Sequence, residues 1–170
     1  MKLTDKIRKA LRVAAIQHDK QYRKDNLTPF IIHPFEVTLV VSEYTDDEDV
    51  MSATLLHDLL EDTSGYSYEK LKEEFGEKVA NIVQSLTDEP LPEELTWKEK
   101  HQKYLENLKS SSDEAVLVCL ADKYSNVSTA PVNQDRVWYY RGVIDIAKSR
   151  ELTKNTKLLN DFENLAINNK

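Results

Sequence analysis

The sequence of 170 residues contains few cysteines and few glycines and has no excess of positive charge. Its one cysteine, Cys119, lies in the apolar run AVLVCLA, which favours a buried, reduced thiol over a reactive one, as in cytoplasmic proteins. Only three glycines occur, and no pair of alternating apolar runs flanks a tight turn. These absences argue against a sheet protein and favour an all-α fold.

The charge balance argues against a general nucleic-acid-binding surface. Lysine and arginine number 23 against 30 acidic residues, a net charge of -7. A small polyanion in a local pocket remains compatible with that balance. No segment approaches the roughly 18 consecutive apolar residues of a membrane span, and the N-terminus lacks the apolar core of a signal peptide. We therefore expect a cytoplasmic protein with no nucleic-acid or membrane partner.

Helical spacing of apolar residues recurs along the whole chain. Leu3 to His18 form one stripe, Pro34 suits the first turn of a second helix, and TDDE at residues 45–48 predicts a capping box that opens a third. A second capping box is predicted at Thr96 and Glu99, after the proline-containing loop TDEPLPEEL. The expected fold is a single all-α domain over residues 1–170, a bundle of about eight to nine helices. Its core spans about residues 3–150, and a C-terminal helix covers about residues 154–165.

The segment HDLLEDT, residues 57–63, places ionisable groups directly after an apolar run. If the third helix continues through Asp62, His57 lies beside Glu61 and Asp58 beside Asp62. Such a group is most often a solvated helix end. A histidine next to an aspartate after a buried run, however, is also an ordinary ligand pair for a divalent metal ion.

Two further residues interrupt apolar patterns in the same way. His33 precedes Pro34 at a predicted helix start, and Asp122 follows the run VLVCLA. Taken singly, a histidine at a helix end is usually a cap and an aspartate there is usually exposed. Taken with His57 and Asp58, they form a set of two histidines and two aspartates that converges if the apolar faces of three helices pack together.

Several motifs in order resemble one family. The runs QYRKDNLTPFIIHPFEV, ATLLHDLLEDT, FGEKVANIVQSLTD and CLADKYSNV are similar to the signature of the HD-domain phosphohydrolases. They resemble in particular the (p)ppGpp hydrolase domain of RelA/SpoT enzymes and the stand-alone small alarmone hydrolases. The match extends from about residue 10 to residue 147.

The resemblance implies a role for each matching residue. The implied ligands of one divalent ion, usually Mn²⁺ in this family, are His33, His57, Asp58 and Asp122. Glu61 and Asp62 match the catalytic acidic pair, Arg23 and Lys24 match a basic pair that faces the nucleotide, and Asn126 matches an asparagine that contacts substrate. His18 corresponds to a family histidine, although its place on a helical stripe fits a core residue equally well.

The implied activity is release of pyrophosphate from the 3′-diphosphate of a guanosine alarmone. An HD-type hydrolase of another nucleotide remains an alternative: (p)ppApp, a nucleoside monophosphate or a phosphorylated dinucleotide. A catalytically silent binding module is a third interpretation, against which the retained ligand types with Glu61 and Asp62 argue. The partner is a small-molecule nucleotide in the first two cases, and the sequence leaves the oligomeric state open.

Two departures from the family pattern bear on substrate binding. The loop KDNLTPF lacks the usual glycine and is one residue longer than is typical, which could shift Arg23 and Lys24. After Asp122, Ser125 and Ser128 stand where relatives carry an imidazole or phenol ring and an arginine. These differences leave the nucleotide base open while keeping the implied chemistry.

Overall fold

A computed structural model describes residues 2–88, Pro92 and residues 94–168. Across these residues the chain is helical and carries no strand, which confirms the all-α prediction. Among them, too, no helix combines the length and the apolar character needed to cross a membrane. The part of the chain that the structure describes forms ten α-helices: α1 (Asp5–Gln17), α2 (Ile32–Val41), α3 (Glu48–Leu56), α4 (Leu59–Asp62), α5 (Tyr68–Phe75), α6 (Glu77–Leu86), α7 (Trp97–Ser110), α8 (Asp113–Thr129), α9 (Val137–Lys148) and α10 (Lys157–Glu163).

The chain divides into two compact units, residues 1–87 and residues 88–170. The first unit contains α1 to α6, and the second contains α7 to α10 with a short 3₁₀ helix at Gln134–Arg136 and a π-helical segment at Asn164–Asn168. The assignment of residues 1–170 to a single domain remains a prediction.

Helix α3 forms the centre of the first unit. Every residue from Val50 to His57 is buried, and the helix packs against α1, α2 and α6. A helix that is buried on all sides and carries mostly apolar or small residues is typical of such a central position. Burial of each leucine or methionine side chain stabilises the folded state by about 1.5–3 kcal/mol. Helix α3 therefore holds the polar residues that follow it in a fixed position.

The start and the end of α3 differ from the prediction. Asp47, rather than Thr45, caps the helix, because its carboxylate accepts hydrogen bonds from the backbone N–H of Asp49 and Val50. Thr45 instead accepts from the N–H of Asp47. The predicted third helix is also two helices, since α3 ends at Leu56 and α4 begins at Leu59. This break adds one α-helix, so the described residues form ten, close to the expected bundle of about eight to nine helices.

The second unit follows the sequence pattern closely. The predicted capping box at Thr96 and Glu99 is present, and the run DEAVLVCLADKYSNV forms the buried helix α8. Cys119 is buried as expected, and burial raises the pKa of its thiol to about 11. Helix α10 begins later than predicted, because Thr156 caps it after a left-handed residue at Asn155. Part of the predicted loop TDEPLPEEL, residues 89–91 and 93, lies outside the described residues.

Candidate functional site

Three of the predicted metal ligands lie together in the first unit. His33 is in the first turn of α2, and His57 and Asp58 form the turn between α3 and α4. One ligand atom from each residue lies within 4.8 Å of the others. The Asp58 carboxylate is 3.2 Å from Nε2 of His57 and 3.9 Å from Nε2 of His33. Both imidazoles are buried, so the three groups form a compact site rather than a solvated helix end.

The hydrogen bond of His57 orients its ring for metal binding. Nδ1 of His57 lies 2.8 Å from the backbone carbonyl of Thr54. A carbonyl only accepts, so Nδ1 carries the proton, and in the neutral ring Nε2 presents its lone pair on the side of Asp58. A histidine that donates its second nitrogen to a carbonyl is the usual arrangement of a metal ligand. The donor set and this orientation fit one divalent ion.

The break between α3 and α4 determines how Asp58 is presented. Asp58 has φ -91° and ψ -1°, and the backbone bond from Asp62 N to Asp58 O, 2.9 Å, begins the short second helix. The condition that one helix persists through Asp62 is therefore not met. His57 and Asp58 lie in the turn itself, a position in which neighbouring side chains are able to face one ligand.

The predicted acidic pair lies on α4, shortly after His57 and Asp58 in the sequence. Glu61 and Asp62 are both exposed to solvent. Partial desolvation of its carboxyl group and the neighbouring charge of Asp58 raise the pKa of Asp62 above its ordinary value. The pair is thus accessible to a substrate while it remains near the metal-ligand residues.

His18 is a buried residue with a defined hydrogen bond. It follows α1, is 2% exposed, and its ring centroid lies 4.8 Å from that of Phe30. Its Nδ1 lies 2.7 Å from Oε1 of Gln21. The position fits the core interpretation, and a role in the reaction remains a prediction.

The loop that carries Arg23 and Lys24 has a defined conformation. Tyr22 and Pro29 pair across its base, and the Asp25 carboxylate accepts hydrogen bonds from Leu27 and Thr28 at its tip. These bonds lower the pKa of Asp25 to about 2. Asn26 has φ 57°, so asparagine occupies a left-handed position in the loop that lacks the family's glycine. The longer loop is therefore closed by its own side chains.

Arg23 also has a ring partner near the metal-ligand residues. Its guanidinium carbon is 5.8 Å from the ring centroid of Phe30, and that ring lies edge-on to His33 at 6.0 Å. Lys24 is exposed. Arg23 and His33 therefore contact the same ring, that of Phe30.

In the second unit, α8 carries Asp122 and Asn126. Asp122 is 7% exposed. One of its carboxylate oxygens accepts from Nδ2 of Asn126 at 2.7 Å, and the other lies 2.6 Å from Nζ of Lys123. Burial by itself lowers the pKa of Lys123, but the charge of Asp122 and those of two neighbouring tyrosines and Cys119 together hold that pKa well above its usual value. Asn126 therefore orients Asp122 directly, a contact that the sequence did not predict.

Other supporting residues also escaped the sequence analysis. Gln21 and Phe30 contact predicted site residues through their side chains, and Thr54 does so through its backbone carbonyl. A backbone acceptor leaves no signal in the residue type. Asp25, by contrast, did carry a sequence signal. An aspartate whose carboxylate accepts from the N–H groups two and three positions later is typical of a turn.

Comparison with known proteins gives consistent matches. The HD domain family model matches residues 10–145. The guanosine-3′,5′-bis(diphosphate) 3′-pyrophosphohydrolase MESH1 of Drosophila melanogaster is 36% identical over 136 residues, which cover 78% of this chain and 74% of that protein. The guanosine-3′,5′-bis(diphosphate) 3′-pyrophosphohydrolase of Aquifex aeolicus is 34% identical over 81% of this chain but only 18% of its own length. A solved metazoan orthologue of SpoT, described as hydrolysing ppGpp, has 29% identity and a TM-score of 0.78 over 97% of this chain and 96% of its own.

Proposed function

The chain belongs to the HD-domain family, and we propose that it is a metal-dependent 3′-pyrophosphohydrolase of (p)ppGpp. The observation that carries this proposal is the group formed by buried His33, buried His57 and half-buried Asp58, whose ligand atoms lie within 4.8 Å of one another. The relatives named as hydrolases of guanosine-3′,5′-bis(diphosphate) support the choice of substrate class.

We assign one divalent ion, Mn²⁺, to His33, His57 and Asp58, with Asp122 as a further ligand. The assignment of Asp122 rests on the motif LADKYSNV and on the resemblance to the family. When bound, the ion supplies Lewis-acid polarisation of a phosphoryl oxygen and lowers the pKa of the attacking water.

The chain's own carboxylates handle the proton of the reaction. Water attacks the phosphorus joined to the ribose 3′ oxygen, the bond between them breaks, and pyrophosphate leaves together with GDP or GTP. Glu61 and Asp62 take the proton from the water and return it to the departing 3′ oxygen, since both carboxylates are exposed on α4 next to Asp58. The raised pKa of Asp62 favours such a two-way transfer.

Substrate binding is assigned to Arg23, Lys24 and Asn126. Arg23 and Lys24 are cations in a loop that is closed by Asp25 and packed on Phe30, so they offer positive charge in an otherwise acidic protein. Asn126 is assigned from the family match, and its amide contacts Asp122. The proposed partner is a small-molecule nucleotide, and the proposed location is the cytoplasm.

A nucleotide panel tests the proposal. Chelator-treated protein is incubated with or without Mn²⁺ and with ppGpp, pppGpp, ppApp or GMP, and pyrophosphate and orthophosphate are measured separately. We expect Mn²⁺-dependent release of pyrophosphate from ppGpp and pppGpp. Asp58→Asn should lose this activity, and the matched variant Asp145→Asn, which changes an exposed aspartate on α9, should keep it.

Other outcomes would contradict the proposal in distinct ways. Preference for ppApp or hydrolysis of GMP would favour the alternative of an HD-type hydrolase for another nucleotide. Binding of ppGpp without release of either phosphate product would favour a catalytically silent module.

A further inference from the structure

We propose that Gln21 is a positioning residue that holds helix α4 in place relative to the loop that carries Arg23 and Lys24. Both backbone polar groups of Gln21 are hydrogen-bonded, its N–H to the carbonyl of His18 at 3.1 Å and its carbonyl to the N–H of Phe30 at 2.9 Å. Its side-chain amide reaches His18 at 2.7 Å and the backbone carbonyl of Asp62 at 2.9 Å. This role in the reaction rests on the proposed function.

The directions of these hydrogen bonds follow from their partners. The carbonyl of Asp62 only accepts, so Nε2 of Gln21 donates to it and Oε1 of Gln21 faces His18. Nδ1 of His18 then donates to Oε1. His18 is buried and its ring packs against that of Phe30, and it therefore provides a fixed point from which Gln21 reaches α4.

Helix α4 depends on contacts from outside itself. It has four residues, far fewer than an isolated helix needs to be stable. The carbonyl groups at its end have no partner within the helix, and the Gln21 amide supplies a donor to the last of them. Since Glu61 and Asp62 make up half of α4, a change in its orientation moves both proposed catalytic carboxylates.

The same residue also begins the basic loop. Gln21 directly precedes Tyr22, which pairs with Pro29 across the base of that loop. The backbone N–H of Phe30, at the end of the loop, donates a hydrogen bond to the carbonyl of Gln21, at its start. One side chain therefore connects the segment that carries the acidic pair with the segment that carries the cations, and it determines their spacing.

Two substitutions separate the hydrogen bonds of the side chain. Gln21→Glu keeps the length and an acceptor for His18 but removes the donor to Asp62. Gln21→Met keeps the length, removes both bonds and adds no charge. The control is Gln84→Ala, which changes an exposed glutamine on α6 in the same unit.

We expect both Gln21 variants to lower kcat by about 10-fold or more, because misplacement of a reacting group by about 1 Å can cost about 100-fold. KM should change less than kcat, and Mn²⁺ content should stay at the wild-type level. Hydrogen exchange of the α4 amides should accelerate in both variants and remain unchanged in the control. If kcat falls in both variants, the fall cannot be due to the negative charge that Gln21→Glu adds, because Gln21→Met adds none.

Wild-type kcat and wild-type exchange in Gln21→Glu would overturn the inference, because the bond to Asp62 would then hold nothing in place. Failure of the proposed function is a separate result, seen when the unaltered protein releases no pyrophosphate from ppGpp. Even then, hydrogen exchange still tests whether Gln21 holds α4 in place, since that measurement requires no substrate.

Discussion

Removal of the Asp58 carboxylate should remove most of the stabilisation that Mn²⁺ gives to the folded protein. The carboxylate faces Nε2 of both His57 and His33, at 3.2 Å and 3.9 Å. Asp58→Asn replaces it with a neutral amide of the same size, so the change concerns ligation more than packing. Loss of a residue that only supports a ligand lowers metal affinity by about 10- to 100-fold, and we expect a fall of about 100-fold for the ligand itself.

The magnitude follows from linkage between binding and folding. An ion present at about 100 times its Kd stabilises the native state by about 2.7 kcal/mol. For a chain of this length, each kcal/mol raises Tm by about 2–4 °C, so the unaltered protein should gain about 5–11 °C. At the same Mn²⁺ concentration Asp58→Asn would be near its Kd and should gain about 0.4 kcal/mol, or about 1 °C.

Thermal unfolding followed by far-UV circular dichroism, on chelator-treated protein with and without Mn²⁺, measures this difference. Asp145→Asn is the matched control and should show the full wild-type shift, because that aspartate is exposed on α9. An undiminished shift in Asp58→Asn would refute the assignment of Asp58 as a ligand. No shift in the unaltered protein across a wide Mn²⁺ range would refute the metal site itself.

Three further predictions concern other parts of the chain. Replacing Arg23 and Lys24 together by alanine should raise KM for ppGpp with a smaller effect on kcat and unchanged metal content, since uniform binding is removed; steady-state kinetics with a wild-type KM would contradict their role. Glu61→Gln should keep the ion and lower kcat by about 100-fold, as general acid–base contributions typically do; metal analysis that finds the ion lost would instead make Glu61 a ligand. The thiol of Cys119, with a pKa raised to about 11 by burial, should resist thiol reagents at pH 8 in the native protein and react after unfolding, and mass spectrometry would detect early labelling if this is wrong.

The sequence predicted helices well where the local signal was strong. The capping box at Thr96 and Glu99 and the buried run of α8 are both present, because capping groups and apolar runs act within a few residues. The break between α3 and α4 had no such signal. The run LLHDLLED contains neither glycine nor proline and continues a helical apolar pattern, so its local preference is for one unbroken helix.

By itself, the sequence determined the all-α class, the family and the residue types that could hold a metal ion, since these depend on periodicity, on ordered motifs and on ligand chemistry. Only the tertiary structure decided that His33 and His57, 24 positions apart in the chain, face one carboxylate, because the packing of α2 against α3 determines that distance. It also determined the tautomer of His57, through the carbonyl of Thr54, and the link from Gln21 to Asp62. Both contacts use backbone carbonyl groups, which every residue type carries, so their geometry depends on packing and leaves no trace in the sequence.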